Sequence, residues 1–312
     1  MTLKLGTRGS ALALAQSGQV AAALTAATGE TVELVEIVTE GDRSSTPVPL
    51  LGVGVFVSAL REALHAKEID FAVHSYKDLP TAAADGLVLA AVPPRDDVRD
   101  ALITRDGRLL AELGPGSRIG TGAPRRVAQL HALGRGLAPV PLRGNVDTRL
   151  RRLADGDFDA IVLAAAGLRR LGRGAEITEL LDPLLMLPAP AQGALAVECR
   201  GMDAHLVELL GSLDDEHTRA AVVAERSLLS TLEAGCSAPV AALADVAAAE
   251  STEDGADGGW ELYLRGAVFS PDGTFALRLS GTGTLTDAPE VGKRLAAELL
   301  AEGADHILGA PG

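Results

Sequence analysis

The stretch Ile69-Asp70-Phe71-Ala72-Val73-His74-Ser75-Tyr76-Lys77-Asp78-Leu79-Pro80 decides the fold. Its first half is a short apolar run of the kind that forms a buried strand. Its second half is a polar cluster closed by Leu-Pro, a pair that interrupts regular structure. Ligands bind beyond the carboxyl ends of strands in open α/β sheets. A buried strand that delivers polar groups at its end therefore predicts such a sheet with a site at Ser75 to Pro80.

Upstream, Leu3 to Thr7 reads as a strand, and Ser10 caps a helix that runs to about Thr28 and stops at Gly29. Thr31 to Thr39 reads as a second strand. Gly41 to Gly54, with Pro47, Pro49 and Gly52, has no periodicity and reads as a loop that closes over a site. A helix follows from Val55 to Lys67. Downstream, Leu87 to Val92 is a strand, and Pro93-Pro94-Arg95-Asp96-Asp97 reads as a crossover between domains. Asp100 to Ala189 repeats the alternation: strand 117–121, helix from Pro124, strand 138–142, helix 145–154, strand 159–165. This is the pattern of α/β layers with largely parallel pairing. The last third differs. Asp214 to Leu232 reads as one amphipathic helix, and Glu233 to Pro239 as a tight loop. Trp260–Ser270 and Thr274–Gly281 alternate around Pro271-Asp272-Gly273 as a hairpin, and Ala288–Glu302 as a closing helix. The expected fold is α/β, with two α/β domains followed by a small α+β domain.

The chain has 312 residues, 47% hydrophobic and 22% charged, enough to bury cores without a disulfide scaffold. Aromatics at 3% and a net charge of −14 argue against a nucleic-acid platform. The average hides a reversal. Between Arg118 and Arg152 stand eight arginines (118, 125, 126, 135, 143, 149, 151, 152) against one acid, Asp147, and no lysine. A guanidinium presents a planar fork that fits a carboxylate or phosphate with two parallel hydrogen bonds. Pro124 suits a first helical turn and Asn145 a cap, so Arg125, Arg126, Arg143 and Arg149 gather near helix starts, which already favour anions. The competing reading is a solvated face or an ion-pair network. With so few internal acids, an oxyanion ligand is the better reading.

Met1 to Lys4 lacks the pattern of a signal peptide, and Ala11 to Ala27 is interrupted by Gln16, Ser17, Gly18 and Gln19, so no membrane span and a cytoplasmic address are expected. Cys199 and Cys236 form no CxxC pair, and the six histidines show no ligand spacing; no metal is expected. Cys199 reads as a strand residue in the core. Cys236 lies in a Gly/Ser/Pro loop where a thiol can be reached. Asp78 reads either as a loop acid or, beside Lys77 at a strand end, as a catalytic group.

Five blocks, in order and in register over nearly the whole chain, resemble one family. They are Gly6-Thr7-Arg8-Gly9-Ser10-Ala11-Leu12-Ala13, Ala72 to Pro80, Leu142-Arg143-Gly144-Asn145-Val146-Asp147-Thr148-Arg149, Leu187 to Cys199 around Gln192-Gly193, and Glu233-Ala234-Gly235-Cys236. The family is hydroxymethylbilane synthase, also called porphobilinogen deaminase. The resemblance implies a transferase of tetrapyrrole (heme, porphyrin) biosynthesis that condenses four porphobilinogen molecules head to tail with release of ammonia, then hydrolyses the product to linear hydroxymethylbilane. It implies a dipyrromethane cofactor held by a thioether at Cys236. Each pyrrole carries an acetate and a propionate, so the chain accumulates carboxylates whose burial requires partners; the arginine excess answers that need. By resemblance, Arg8, Arg125, Arg126, Arg143, Arg149 and Arg170 hold carboxylates, with Ser10, Lys77, Thr121 and Gln192 assisting. Asp78 is the catalytic carboxylate, stabilising the cationic azafulvene formed when the amine leaves.

The resemblance also implies a monomer of three domains: domain 1 from 1–95 and 193–212, domain 2 from 98–190, and domain 3 from 216–312 carrying the cysteine. The first two resemble type II periplasmic binding proteins flanking a cleft, with hinges near Pro93 and Pro190. A solute-binding module is the alternative; it needs the arginines but neither a poised acid nor a loop thiol. Nucleic-acid binding rests on the arginine segment alone. Three departures stand out. Gly122 and Ala123, followed by Pro124, replace two serines and a leucine. The 41–54 loop is short and poor in lysine. Asp147 replaces a small residue, and its spacing suggests a pair with Arg151.

Overall fold

Capping chemistry sets the first elements of the computed structural model, which describes residues 2–37, 55–234, 238–249 and 259–308. Strand β1 (Thr2–Thr7) buries Leu3 and Leu5. Helix α1 (Ala11–Thr28) starts where the Ser10 hydroxyl accepts the Ala13 N–H at 3.3 Å, and ends at Gly29, whose φ of 76° lets its N–H reach Thr25 O. Strand β2 (Thr31–Glu36), helix α2 (Val55–His65), strand β3 (Phe71–Ser75) and strand β4 (Leu87–Ala91) follow.

The next segment holds β5 (Asp100–Thr104), β6 (Arg118–Thr121), α3 (Pro124–Ala132), β7 (Ala138–Pro141), α4 (Val146–Ala154), β8 (Ala160–Ala164), α5 (Ala165–Arg170) and β9 (Glu179–Leu180). They build a sheet of order β7-β6-β8-β5-β9, in which β6 runs parallel to β7 and β8 while β5 runs antiparallel to β8 and β9. The α/β alternation explains the parallel half, since each crossover is a helix. Strand β10 (Leu195–Arg200) then enters the first sheet, giving β2-β1-β3-β10-β4, with β1 parallel to its neighbours and β10 antiparallel to β3 and β4. All six residues of β10 are buried. Helix α6 (Ala204–Gly211) packs Leu206 and Leu210 on that sheet's core with Leu5, Val20 and Phe71.

Residues 1–96 with 193–219 form one compact unit, and 97–192 with 220–312 form another. Helix α7 (Glu216–Thr231) starts in the first and ends in the second. The second unit also holds an antiparallel sheet, β11 (Val240–Ala248), β12 (Trp260–Phe269) and β13 (Ala276–Thr284), followed by α8 (Ala288–Ala301) and α9 (Ala304–Leu308). Its core joins Leu228 of α7, Leu264 of β12 and Val291, Leu295 and Leu299 of α8. The β12–β13 turn rests on α3. Gly273 there has φ 71°, and a Cβ on it would lie 2.4 Å from Ala128 O and 2.7 Å from Ala132 N. Ala128, Leu187, Ala241, Leu243, Ala267 and Phe269 form a further core behind it. Helix α3 is therefore held by the C-terminal sheet as well as by its own.

The predicted strands and helices appear with boundary shifts of a few residues. Three strands, β5, β9 and β11, and three short helices, α5, α6 and α9, were not predicted. Strand β5 is five residues beginning with an acid, and β11 is Ala-rich with little β propensity of its own, so pairing with β12 decides it. The loop 41–54 and Cys236 lie outside the described residues.

Candidate active site

In the first unit, β1 and β3 are parallel neighbours, so Arg8 to Ser10 and Ser75 to Asp78 leave the sheet at the same end. The chain turns there through a 3-10 segment, Tyr76–Asp78, held by the Tyr76 N–H on Ala194 O and the Leu79 N–H on Tyr76 O. Tyr76 and Leu79 are buried as anchors, Lys77 is half-buried, and Asp78 is exposed. Gln16 of α1 donates to the Ser75 hydroxyl at 2.7 Å, which ties the two strand ends together. The Ser10 hydroxyl already caps α1, and Arg8 is half-buried beside it.

Behind this end lies a buried polar group that the sequence reading missed. Glu198 of β10 takes two guanidinium nitrogens of Arg61 at 2.9 to 3.2 Å, and its Oε2 lies 3.2 Å from His74 Nε2. Burial would raise the Glu198 pKa, but the His74 and Arg61 hydrogen bonds outweigh it and keep the carboxyl below its ordinary value. His74 is thus a core partner. Cys199, next in β10, is fully buried, and burial pushes its thiol up to about 11; it is the inert core cysteine the sequence suggested.

In the second unit, Thr121 ends β6 and its hydroxyl accepts the Ala123 N–H at 3.3 Å. Helix α3 starts without a side-chain cap. A Cβ on Gly122 would sit 2.8 Å from Leu142 O, so the backbone as folded has no room for the serine of the family pattern. Helix α4 starts with the Asn145 side chain accepting the Thr148 N–H at 2.9 Å. Arg143, just before that cap, is exposed and has no hydrogen-bond or ion-pair partner among the described residues. The Nε of Arg149 donates to Gly144 O at 2.8 Å, which holds its side chain at the same helix start. Arg170 ends α5 and is half-buried.

Arg125 and Arg126 behave differently. Both are buried, and both turn onto Asp100, the first residue of β5. Arg125 Nη1 donates to Asp100 Oδ2 at 2.7 Å and to Leu187 O at 2.9 Å; its Nη2 donates to Asp100 Oδ1 and Gln192 Oε1, both at 3.1 Å. All four of its Nη hydrogens are thereby used. Arg126 donates from Nη2 to Asp100 Oδ1 at 2.7 Å and from Nη1 to Val162 O at 3.0 Å. Gln192 Nε2 donates to Asp100 Oδ1 at 2.8 Å and to Val98 O at 2.9 Å. Burial opposes ionisation of Asp100, but the charges and hydrogen bonds of Arg125 and Arg126 prevail and hold its carboxyl far below the usual range.

The structure thus gathers Arg125, Arg126 and Gln192 around an acid outside the arginine stretch, where counting only the acids within 118–152 could not find it. The signal for Asp100 was an acid directly before an apolar strand, hidden among the acids of the crossover. Asp147 pairs with Arg173 at 2.6 Å and not with Arg151, because the start of α4 faces the segment after α5. Two further arginines of the stretch also find partners outside it: Arg152 pairs with Asp157, five residues on, and Arg135 donates to the carbonyls of Leu110 and Leu113.

Residues 3–208 match the model of "Porphobilinogen deaminase, dipyromethane cofactor binding domain", and residues 219–301 match "Porphobilinogen deaminase, C-terminal domain". A Nocardia farcinica protein named porphobilinogen deaminase is 60% identical over 306 residues, 98% of this chain and 88% of its own length. A Mycobacterium tuberculosis protein of the same name is 56% identical over 306 residues, 98% of each chain. Among solved structures, the methionine-binding protein MetQ is similar over 68% of this chain and 89% of its own, at 15% identity and a TM-score of 0.44. The two family matches cover both units, and the relatives align almost end to end, so this chain belongs to the porphobilinogen deaminase family.

Proposed function

We propose that this chain condenses four porphobilinogen molecules head to tail, releasing ammonia, and frees linear hydroxymethylbilane by adding water, with a dipyrromethane held through Cys236. The match of residues 3–208 to the cofactor-binding domain carries this reading. The donor chemistry fits a carboxylate-bearing group. Two buried guanidiniums face one buried carboxylate, leaving a net positive charge, and Arg126 Nε is a buried donor without an acceptor among the described residues. When bound, the cofactor supplies the pyrrole end to which incoming rings are joined.

The side chains divide the remaining work. Arg8, Arg143, Arg149 and Arg170 meet carboxylates directly, each charge-assisted contact contributing about 1.5 to 3 kcal/mol. Arg125 and Arg126 add their surplus charge from below the start of α3, where the helix N-terminus reinforces it. Ser10, Lys77, Thr121 and Gln192 support these contacts. Asp78 faces the positive charge that develops on a substrate ring as its amine departs, and takes up and returns the proton at its carboxylate. Among the described residues no helix is long and apolar enough to cross a membrane. The proposed setting is a cytoplasmic monomer that acts on a small molecule.

The test is the mass of the purified protein and of its peptides. A dipyrrole-sized addition on the Cys236 peptide, lost in Cys236→Ala and kept in Cys199→Ala, is the expected result. Asp78→Asn is expected to keep that addition and slow turnover by at least about a hundredfold. An unmodified Cys236 in protein that turns over porphobilinogen would refute the attachment, and near-normal turnover in Asp78→Asn would remove that residue from the chemistry.

A further inference from the structure

One buried carboxylate links the C-terminal sheet to the guanidinium pair. Glu225 of α7 is fully buried on the helix face that packs with Ala221 and Leu228. Its Oε2 accepts the Ala191 N–H at 2.5 Å and its Oε1 accepts the Ala244 N–H of β11 at 2.8 Å. Ala191 is also fully buried and has φ 61°, the left-handed region that residues with a Cβ avoid. Such a conformation persists only where the surroundings over-determine it. The next residue, Gln192, places its amide between Asp100 and Arg125, as described above. Nearby, the Ala242 N–H of β11 holds Pro188 O at 3.1 Å, and Leu187 O receives both Arg125 and Gln129.

We infer that Glu225 is a positioning residue for the Arg125–Arg126 pair. By holding Ala191 in its left-handed turn it aims the Gln192 side chain, which together with Asp100 fixes the direction of both guanidiniums. Both carboxylate oxygens are needed, because each serves a different backbone N–H. Glutamine offers one acceptor oxygen and turns an NH2 toward the second N–H. The inference rests on the reading that these arginines serve carboxylate recognition.

The experiment compares full-length wild-type protein with Glu225→Gln, Asp100→Asn and the double variant. Loss of a charge-assisted contact in the chain of four residues should raise KM for porphobilinogen about tenfold, with kcat changed less than about threefold. Hydrogen exchange should accelerate by about tenfold in peptides covering 187–193 and 124–130, and stay unchanged in 260–269. Since the residues act in series, the double variant should have a KM within about twofold of Asp100→Asn alone. Wild-type KM in Glu225→Gln overturns the inference, as does exchange that rises uniformly over the unit while KM stays put, or KM effects that multiply. If Glu225→Gln yields no folded protein, Gln192→Met cuts the same chain one residue further on, and a KM within about twofold of wild type then overturns the inference. Wild-type protein with neither a dipyrrole addition nor turnover would instead refute the proposed function, and the exchange measurement would still judge the positioning role.

Discussion

Replacing Asp100 by asparagine tests whether the buried network holds the second unit together. Asp100 accepts four hydrogen bonds, three of them from guanidinium nitrogens, and both arginine side chains are at most 6% exposed. Removing one partner of a buried ion pair costs about 3 to 5 kcal/mol, because the remaining charge stays buried. Asparagine keeps one acceptor oxygen, so the expected loss is about 3 kcal/mol. With a urea slope of about 2 kcal/mol per molar, the midpoint should fall by about 1.5 M. The single tryptophan, Trp260, belongs to the same unit and is half exposed, so its emission can follow the transition. The pH dependence gives a second check. The Asp100 pKa is depressed in the folded protein, so its contribution is complete above the unfolded value of about 4 and is lost as pH falls toward the folded value. The gap between wild type and variant should be constant from about pH 7 to pH 5 and narrow in stronger acid. An unchanged midpoint, or a gap that widens on acidification, would refute the reasoning.

Gly18→Ala and Gly292→Ala should have opposite signs. A Cβ at Gly18 in α1 meets nothing within 4 Å, so the alanine should stabilise by about 0.5 to 1 kcal/mol. At Gly292 the Cβ would lie 2.2 Å from Ala224 O, so α7 and α8 must separate; a urea midpoint at or above wild type would contradict that packing. Lys67 has φ 59° and ends α2 in a turn closed by the Glu68 N–H on Ala63 O and the Lys67 N–H on Leu64 O, so Lys67→Gly should raise stability by about 1 kcal/mol in the same assay. Cys199 should resist iodoacetamide at pH 7.5 in folded protein and react once urea exposes it, as peptide mass would record.

Local signals made most of the fold legible. Ser10, Gly29, Pro124 and Asn145 mark helix ends in the sequence and in the structure, because a cap depends on residues within one turn of it. The missed strands are those whose case is not local. Strand β11 is five alanines in nine residues and pairs only because β12 is alongside it. The candidate site divides the same way. Asp78, Lys77 and Arg143 follow from a strand end and a helix start, whereas Arg8 was suggested only by the family resemblance. The partners of Arg125 and Arg126 do not, since Asp100 is 25 and 26 residues away and Gln192 lies 67 residues beyond Arg125. A count of acids near the arginines measures sequence neighbours, whereas ion pairing is decided by which strand the sheet places alongside.

Glu225 shows what a finer reading of the sequence could have used. Along 214–232 the apolar positions Ala221, Ala224, Leu228 and Leu232 recur at helical spacing, and Glu225 falls on that same face. A carboxylate on an apolar face must be satisfied or the helix does not pack there, so its presence predicts donors on whatever covers it. The structure supplies the N–H of Ala191 and the N–H of Ala244 among them, from segments far apart in the chain. The same argument applies to Glu198 in a fully buried strand, answered by Arg61 and His74, and to Asp100 at the head of β5, answered by Arg125 and Arg126. In each case the acid that looks misplaced in the hydrophobic pattern marks where distant segments are cross-linked. Two of the three touch or adjoin residues that the family resemblance assigns to the site, Asp100 through Arg125, Arg126 and Gln192 and Glu225 through Ala191 beside Gln192. Substituting such an acid should therefore affect the arrangement of neighbouring site groups as well as stability, whereas an exposed acid such as Glu290, which pairs with Lys293 one turn on, should affect neither.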